Sequence, residues 1–346
     1  MQRPYTAILI IPTGIGASIG GYAGDALPVA RVISQVCDRL ITHPNVLNGA
    51  SLYWNIPNSF YVEGYGLDKF AAGEWGLRPV HSNRVGLLLD QGLEPELMLR
   101  HLQTADAARA TLGLNLTNHV ITDAPLNIEL RISSSGSSWG TIGNPDSLLR
   151  AAEKLIKKEK AEAIAVVARF PDNIDEQATQ NYRHGKGVDP LAGAEAVISH
   201  LLVRTFQIPC AHAPALAPAP PDPDLSPRSA AEEIGYTFLP CVLVGLSRAP
   251  QFIVNREFIN SLQADIWADQ VDAVIVPANA CGSSTLLSLS QKQCQIITVT
   301  ENKTLIQVPA SALGIKSIKV NSYVEAVGVL VAHKAGINPW SLVISH

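Results

Sequence analysis

Short runs dominated by Val, Ile, Leu and Ala recur along the chain with helical patterns between them: "AILII" at 7–11, "VGLLL" at 85–89, "AIAVVA" at 163–168, "AVIV" at 273–276 and "IITV" at 296–299. A strand with one wet face alternates apolar and polar residues. A strand buried on both faces does not, and such strands mark a parallel sheet covered by helices on either side. We therefore expect a three-layer α/β protein with a largely parallel sheet and helices on both faces. At 346 residues there is chain enough for two α/β lobes. The runs predict strands at 7–11, 39–42, 85–89, 119–121, 163–168, 242–244, 273–276 and 296–299.

Helix starts are marked by capping chemistry. Asn144 before Pro145, and Asp189 before Pro190, each place a side-chain acceptor ahead of a proline at the first helical position. Ser322 and Glu325 have capping-box spacing, and Gly336 is placed to stop that last helix. The segment "PCAHAPALAPAPPDPDLSPRS", 209–229, is too rich in Pro to read as a helix or a central strand. It reads as a linker or surface loop at 209–231, dividing an N-terminal α/β domain, 1–208, from a C-terminal one, 232–346.

Composition narrows the function classes. Charged residues are 16% of the chain against about 25% in soluble proteins, and hydrophobic residues are 47%, so much surface is buried and a homo-oligomer is expected. A net charge of −4 and the lack of a dense Lys/Arg run argue against nucleic acid as a partner. No apolar run approaches the length of a membrane span or a signal-peptide core, so no membrane partner is expected, and the chain reads as cytoplasmic. Five scattered cysteines without a C-x-x-C pair suit a reducing compartment.

The stretch "PTGIGASIGGYAGD" follows the first strand run and precedes a helix, the usual setting for holding a phosphate or carboxylate on backbone amides. Gly14, Gly16 and Gly20 read G-x-G-x-x-x-G, with Ile19 where the dinucleotide fingerprint needs its third glycine. A nicotinamide or flavin dinucleotide is therefore not expected, and the P-loop pattern is absent. A second loop, "PANACGSSTLL", again follows a buried-type strand and offers Asn279, Gly282, Ser283, Ser284 and Thr285 at a helix start. With both loops at strand C-terminal ends, one crevice would hold an anionic small molecule on Gly14, Gly16, Ser18, Gly20, Gly21 and the second loop.

The candidate chemical groups lie in or near such loops. His43, with Asn45 and Asn48, follows the second strand and is a candidate general base; Asp25 ends the glycine loop and is either a helix cap or an acid. In "YRHGKGVDPLAGAEA", Tyr182, Arg183, His184, Lys186 and Asp189 suit clamping an acidic ligand, against a solvated loop with Asp189 as a cap, and Lys186 would stabilise charge in the reaction. Glu301 follows a strand and would line the same crevice. "YVEGYGLDKF" adds Glu63, Tyr65 and Asp68, with a solvated loop as the plainer reading. Cys281, beside a helix N-terminus, is a candidate nucleophile against the commoner fate of a buried thiol. Cys210 and His212 lack further ligands at metal spacing, so no metal site is expected, although a Mg²⁺ held by one or two carboxylates leaves no spacing signature.

The loop "NACGSST" resembles half of the two-cysteine site of cofactor-independent aspartate/glutamate-type racemases; the glycine loop supplies no second cysteine, only Thr13 and Ser18. Taken with "PTGIGASIGGYAGDALPVAR", "THPNVLNGASLYW" and "YRHGKGVDPLAGAEA", the chain resembles a domain-of-unknown-function family of cyanobacteria and plant plastids. That resemblance implies a cyanobacterial cytoplasm or a plastid stroma and carries no catalytic assignment. The expected function is an enzyme acting on a phosphate- or carboxylate-bearing metabolite, with an isomerase, lyase or transferase reaction open. The alternatives are a non-catalytic metabolite sensor or assembly factor, and a Cys281-dependent isomerase or lyase.

Overall fold

Alternate residues of the buried strands go to opposite sides, as the pleat requires. Ala7 and Leu9 join one apolar cluster while Ile8 and Ile10 join another. Likewise Ala163, Ala165 and Val167 part from Ile164, Val166 and Ala168. A computed structural model describes residues 3–47, 54–133, 137–172, 176–234, 238–254 and 264–342. Within them lie two parallel sheets with helices on both faces, which is the expected three-layer α/β architecture in two lobes.

The first sheet has six parallel strands in the order Ile318–Val320, Gln295–Val299, Val271–Pro277, Thr6–Leu9, Arg39–Thr42, Ser59–Tyr61. The second has four, also parallel, in the order Cys210–Ala215, Ala163–Arg169, Val85–Leu89, Leu116–Ile121. Two antiparallel pairs complete the set, Gly76–Arg78 with Gln251–Ile253 and Ile128–Ile132 with Ser138–Ile142. One face of each sheet meets a shared core that includes helices Leu27–Ser34, Leu239–Ser247 and Tyr323–Lys334. The outer face of the first sheet is covered by Gly64–Ala72 and Ser284–Ser290, that of the second by Pro145–Lys157 and Ala192–Phe206.

Thr6–Leu9 pairs with Val271–Pro277 on one side and Arg39–Thr42 on the other. The two ends of the chain therefore build one sheet, and residues 85–215 supply the strands of the other. This replaces the linear division at 209–231. Cys210–Ala215 is itself a strand, paired with Ala163–Arg169, and Pro227–Ile234 is a helix. Proline is tolerated at 214 because this strand is the edge of its sheet, where one side of the backbone makes no ladder bonds.

The strand expected at 242–244 is also corrected. It belongs to helix Leu239–Ser247, apolar all round because it is buried between the sheets, and a run of that kind carries no period that separates helix from strand. Ser322 caps its helix, its hydroxyl accepting from Glu325 N at 3.1 Å, and Gly336 adopts φ +73° just past the helix end. Asp189 is not a cap: the helix begins at Ala192, and the Asp189 carboxylate accepts from Leu191 N at 2.8 Å.

Candidate active site

Three strand ends of the first sheet and one face of a helix from the second lobe enclose a cavity of about 270 Å³. Thr13, His43 and Glu63 follow strands Thr6–Leu9, Arg39–Thr42 and Ser59–Tyr61, so they arrive at the carboxyl ends of neighbouring parallel strands, where open α/β sheets place ligands. From the second lobe, Glu195, Ala196, Ser199 and His200 recur at helical spacing along Ala192–Phe206 and present one stripe to the cavity. His212 and Pro214 come from strand Cys210–Ala215, whose alternate residues Ala211, Ala213 and Ala215 go to the shared core.

Two histidines on this wall stand beside carboxylates. His200 Nε2 lies 3.4 Å from Glu63 Oε1, and its Nδ1 is 2.7 Å from Ala196 O, the position of a donated N–H. Glu63 uses its other oxygen to cap helix Gly64–Ala72, accepting from Tyr65 N at 2.8 Å and Gly66 N at 3.3 Å. His212 Nδ1 is 2.6 Å from Ser199 Oγ and its Nε2 is 3.5 Å from Glu195 Oε2. Both imidazole–carboxylate separations exceed a formed hydrogen bond, as acid–base sites do before substrate tightens them.

Further carboxyls share the cavity. Glu232 is pushed up to about 7, first by burial and further by the charges of Glu195 and Asp25, although Ala23 N and the Tyr182 hydroxyl both donate to it. Asp189 is raised well above the usual carboxylate range by burial and by Glu195 and Glu232. Burial raises Glu63 as well, against the pull of His200 and the two capping amides. His43, by contrast, is lowered to about 4 by burial; its Nε2 accepts from Ile11 N at 3.0 Å, so the neutral ring carries its proton on Nδ1.

The glycine loop clasps the two lobes together. Gly20 has φ +85°, and a Cβ there would stand 2.6 Å from Ile11 Cγ2; a Cβ on Gly16 would meet Gly187 O at 3.3 Å. The amides of Ser18 and Ile19 bond to Lys303 O at 2.8 Å and Asn302 Oδ1 at 3.0 Å. Gly20 N bonds Asp25 Oδ1 at 2.6 Å, and Asp25 pairs with Arg228. Tyr22 stacks on Tyr182 of the other lobe, ring centroids 4.4 Å apart. Of the stretch 12–25, only Thr13 and Ala23 line the cavity; Gly14, Gly16, Ser18, Gly20, Gly21 and Asp25 do not.

The second predicted loop lies on the same side but serves packing. Asn279 exchanges hydrogen bonds with Thr304, its Nδ2 3.1 Å from Thr304 O, so residues 302–305 fill the space between the two loops. Ser283 is an N-cap, accepting from Leu286 N at 3.2 Å, and the buried Thr285 donates to Asp68 Oδ1 at 2.5 Å. Cys281 is 0% exposed, its Sγ directed at Pro277 O and Ala278 O, and burial raises its thiol. Neither Gly282 nor Ser284 lines the cavity.

Nor do most of the remaining predicted groups converge there. His184 bonds Asp222 at 3.0 Å on the surface, Lys186 is exposed, and Glu301 accepts from Tyr323 N at 2.7 Å at a helix start. Asn45 is in the short helix Pro44–Leu47, and Asn48 lies outside the described residues. Of the predicted residues that the structure describes, His43 is on the cavity wall, as are Tyr182, Arg183 and Asp189 of the cluster expected to clamp a ligand; Glu63, from the loop expected to be solvated, joins them. Glu195, Ser199, His200 and His212 carry little sequence signal, because a histidine inside "AVISHLLV" or "CAHAPAL" looks like any polar residue in an apolar element; only the i, i+4 spacing of Glu195 and Ser199 hints at a shared face. No group of three or more His, Cys, Asp or Glu among the described residues is arranged to hold a metal ion.

Residues 6–343 match the family model described as a protein of unknown function, DUF3326. An uncharacterised lipoprotein of Synechococcus sp. is 59% identical over 342 residues, covering 99% of this chain and 94% of that protein. No solved structure matches the chain. No helix among the described residues is long and apolar enough to cross a membrane.

Proposed function

We propose that this chain, which belongs to the DUF3326 family, is an enzyme that moves protons on a small molecule held between its lobes, in an isomerase or lyase reaction. The observation that carries this reading is the meeting, in one cavity, of imidazole–carboxylate pairs with carboxyls raised far from the ordinary range. Groups whose environments push their proton affinities apart are what general acid–base catalysis needs, one to take a proton and one to give it.

The roles follow from position. With the ring proton of His212 on Nε2 facing Glu195, Nδ1 accepts the Ser199 hydroxyl, so the ring is held between the two side chains. With both ring nitrogens engaged, the Glu195 carboxylate is the base that takes the proton and His212 positions it. Glu232, protonated below about pH 7, is the acid, and Tyr182 orients it from 2.7 Å. Thiolate chemistry at Cys281 has no support in this arrangement, since that sulfur is sealed in the core. Neither has an anionic substrate in the glycine loop, whose Ser18, Ile19 and Gly20 amides serve the protein's own oxygens.

Deuterium exchange tests the reading with no substrate named in advance. A metabolite extract incubated with the protein in D₂O, followed by mass spectrometry, is expected to show deuterium gained at carbon in one compound class. His212→Gln and Glu195→Gln should each cut that exchange by at least about 100-fold, the usual size of a general acid–base contribution. A metabolite that binds and raises Tm while no compound exchanges would favour the sensor reading instead. The five cysteines, none in a disulfide, support a reducing compartment, and we place the protein in the cytoplasm. Fractionation should find it in the soluble pool; recovery with membranes would follow the relative's name instead.

A further inference from the structure

The charge of the cavity wall identifies the kind of molecule that fits it. Glu63, Asp189, Glu195 and Glu232 all face the space. The one Lys or Arg side chain lining it among the described residues is Arg183, and that guanidinium is already engaged, by Glu233 at 2.8 Å and by Pro220 O at 2.8 Å. The rest of the wall is largely hydrocarbon, with Leu191, Pro214, Leu216 and Phe238. Two polar groups also wait for a partner. The Thr179 hydroxyl on the wall is buried without a hydrogen bond, and so is that of Tyr61, 5% exposed, close to Glu63 and Glu195.

We infer that the ligand of this cavity is a small primary or secondary amine, bound as its ammonium ion on an apolar skeleton. The inference rests on the acid–base reading for its site and adds the substrate class. Glu63 and Glu195 stand beside His200 and His212, but Asp189 and Glu232 face other carboxyls, so an ammonium there supplies a counter-charge, whereas a carboxylate or phosphate would add a like charge to a poorly solvated cluster. A volume of about 270 Å³ is at the small end of ligand cavities, which suits a compact molecule. Binding carries its own signature. A cation beside Asp189 and Glu232 favours their ionised forms, so protons leave the protein as it enters. The charged groups acting on those two carboxyls are Glu195, Asp25 and, for Asp189, Glu232 itself; Asp25 is held in turn by Arg228.

Calorimetry on the full chain tests this with butylamine, cyclohexylamine and benzylamine against the corresponding alcohols and carboxylates, at pH 7 in two buffers of different ionisation enthalpy. The expected result is that at least one amine binds tenfold or more tighter than its alcohol and releases protons to the buffer, while no carboxylate binds. Glu195→Gln and Glu232→Gln should each weaken that amine about tenfold and leave the alcohol unchanged, with Tm reporting that each variant is folded. Carboxylates binding as tightly as amines, proton uptake on amine binding, or no binding by any amine overturns the inference. The two readings fail separately. Amine binding without deuterium exchange retires the acid–base assignment alone, and exchange confined to an anionic metabolite retires the amine alone.

Discussion

Thr285 shows how a residue that looks like a ligand contact is spent on packing. Three hydroxyls in a row at a helix start suggest a cradle, yet Ser283 caps the helix and Thr285 reaches 2.5 Å to Asp68 on the neighbouring helix. A hydrogen bond to a charged acceptor contributes about 1.5–3 kcal/mol, and leaving Asp68 unmatched adds to the loss. Thr285→Val is therefore expected to lower stability by about 2 kcal/mol in denaturant titration without changing any ligand affinity. A residue's type and its place after a strand were legible in the sequence. The atom its side chain reaches was not, because Asp68 is 217 positions away.

At the scale of elements, the helix Pro227–Ile234 and the helix Ala192–Phe206 bring Glu232 and Glu195 to one cavity, and the glycine loop leans on Glu232 through Ala23 N. The folded carboxyl sits at about 7 against an ordinary value of 4.5. Between those two values the folded state holds a proton that the unfolded chain has lost, so stability from this group is full below about pH 4.5 and declines as pH rises through about 7. Glu232→Gln removes that titration. Its Tm should fall less than the wild type's between pH 4.5 and 7.5, and equal slopes in the two proteins would show that Glu232 is not held protonated.

At the scale of the whole molecule, the chain closes on itself: Thr6–Leu9 is an inner strand of a sheet whose other members include Val271–Pro277 and Gln295–Val299. A fragment of residues 1–208 lacks three of the six strands of that sheet, and a fragment of 232–346 contains those three without their central neighbour. Each would expose the alternate Val and Ile residues that both cores now bury. Expressed separately, neither piece is expected to give dispersed amide resonances, while co-expression of 1–222 with 223–346, which keeps strand Cys210–Ala215 and helix Pro227–Ile234, should restore a complex with the native circular dichroism spectrum. Independent folding of either fragment would contradict this account of the sheet.

The strand runs at 85–89, 163–168, 273–276 and 296–299, the helix starting at Pro145 and the cap at Ser322 were legible because each rests on local chemistry: burial on both faces, a proline in the first turn, a hydroxyl three residues ahead of an amide. So was the need for glycine in the loop after the first strand, four of whose glycines take positive φ. What tertiary structure alone decided is which side chains share a space. Glu63, Glu195, Glu232 and His212 come from four separate elements, and their meeting depends on strand order and on the packing of one lobe against the other, neither of which has a local signature. Their proton affinities depend on that meeting in turn, because burial and neighbouring charge, not residue type, set them.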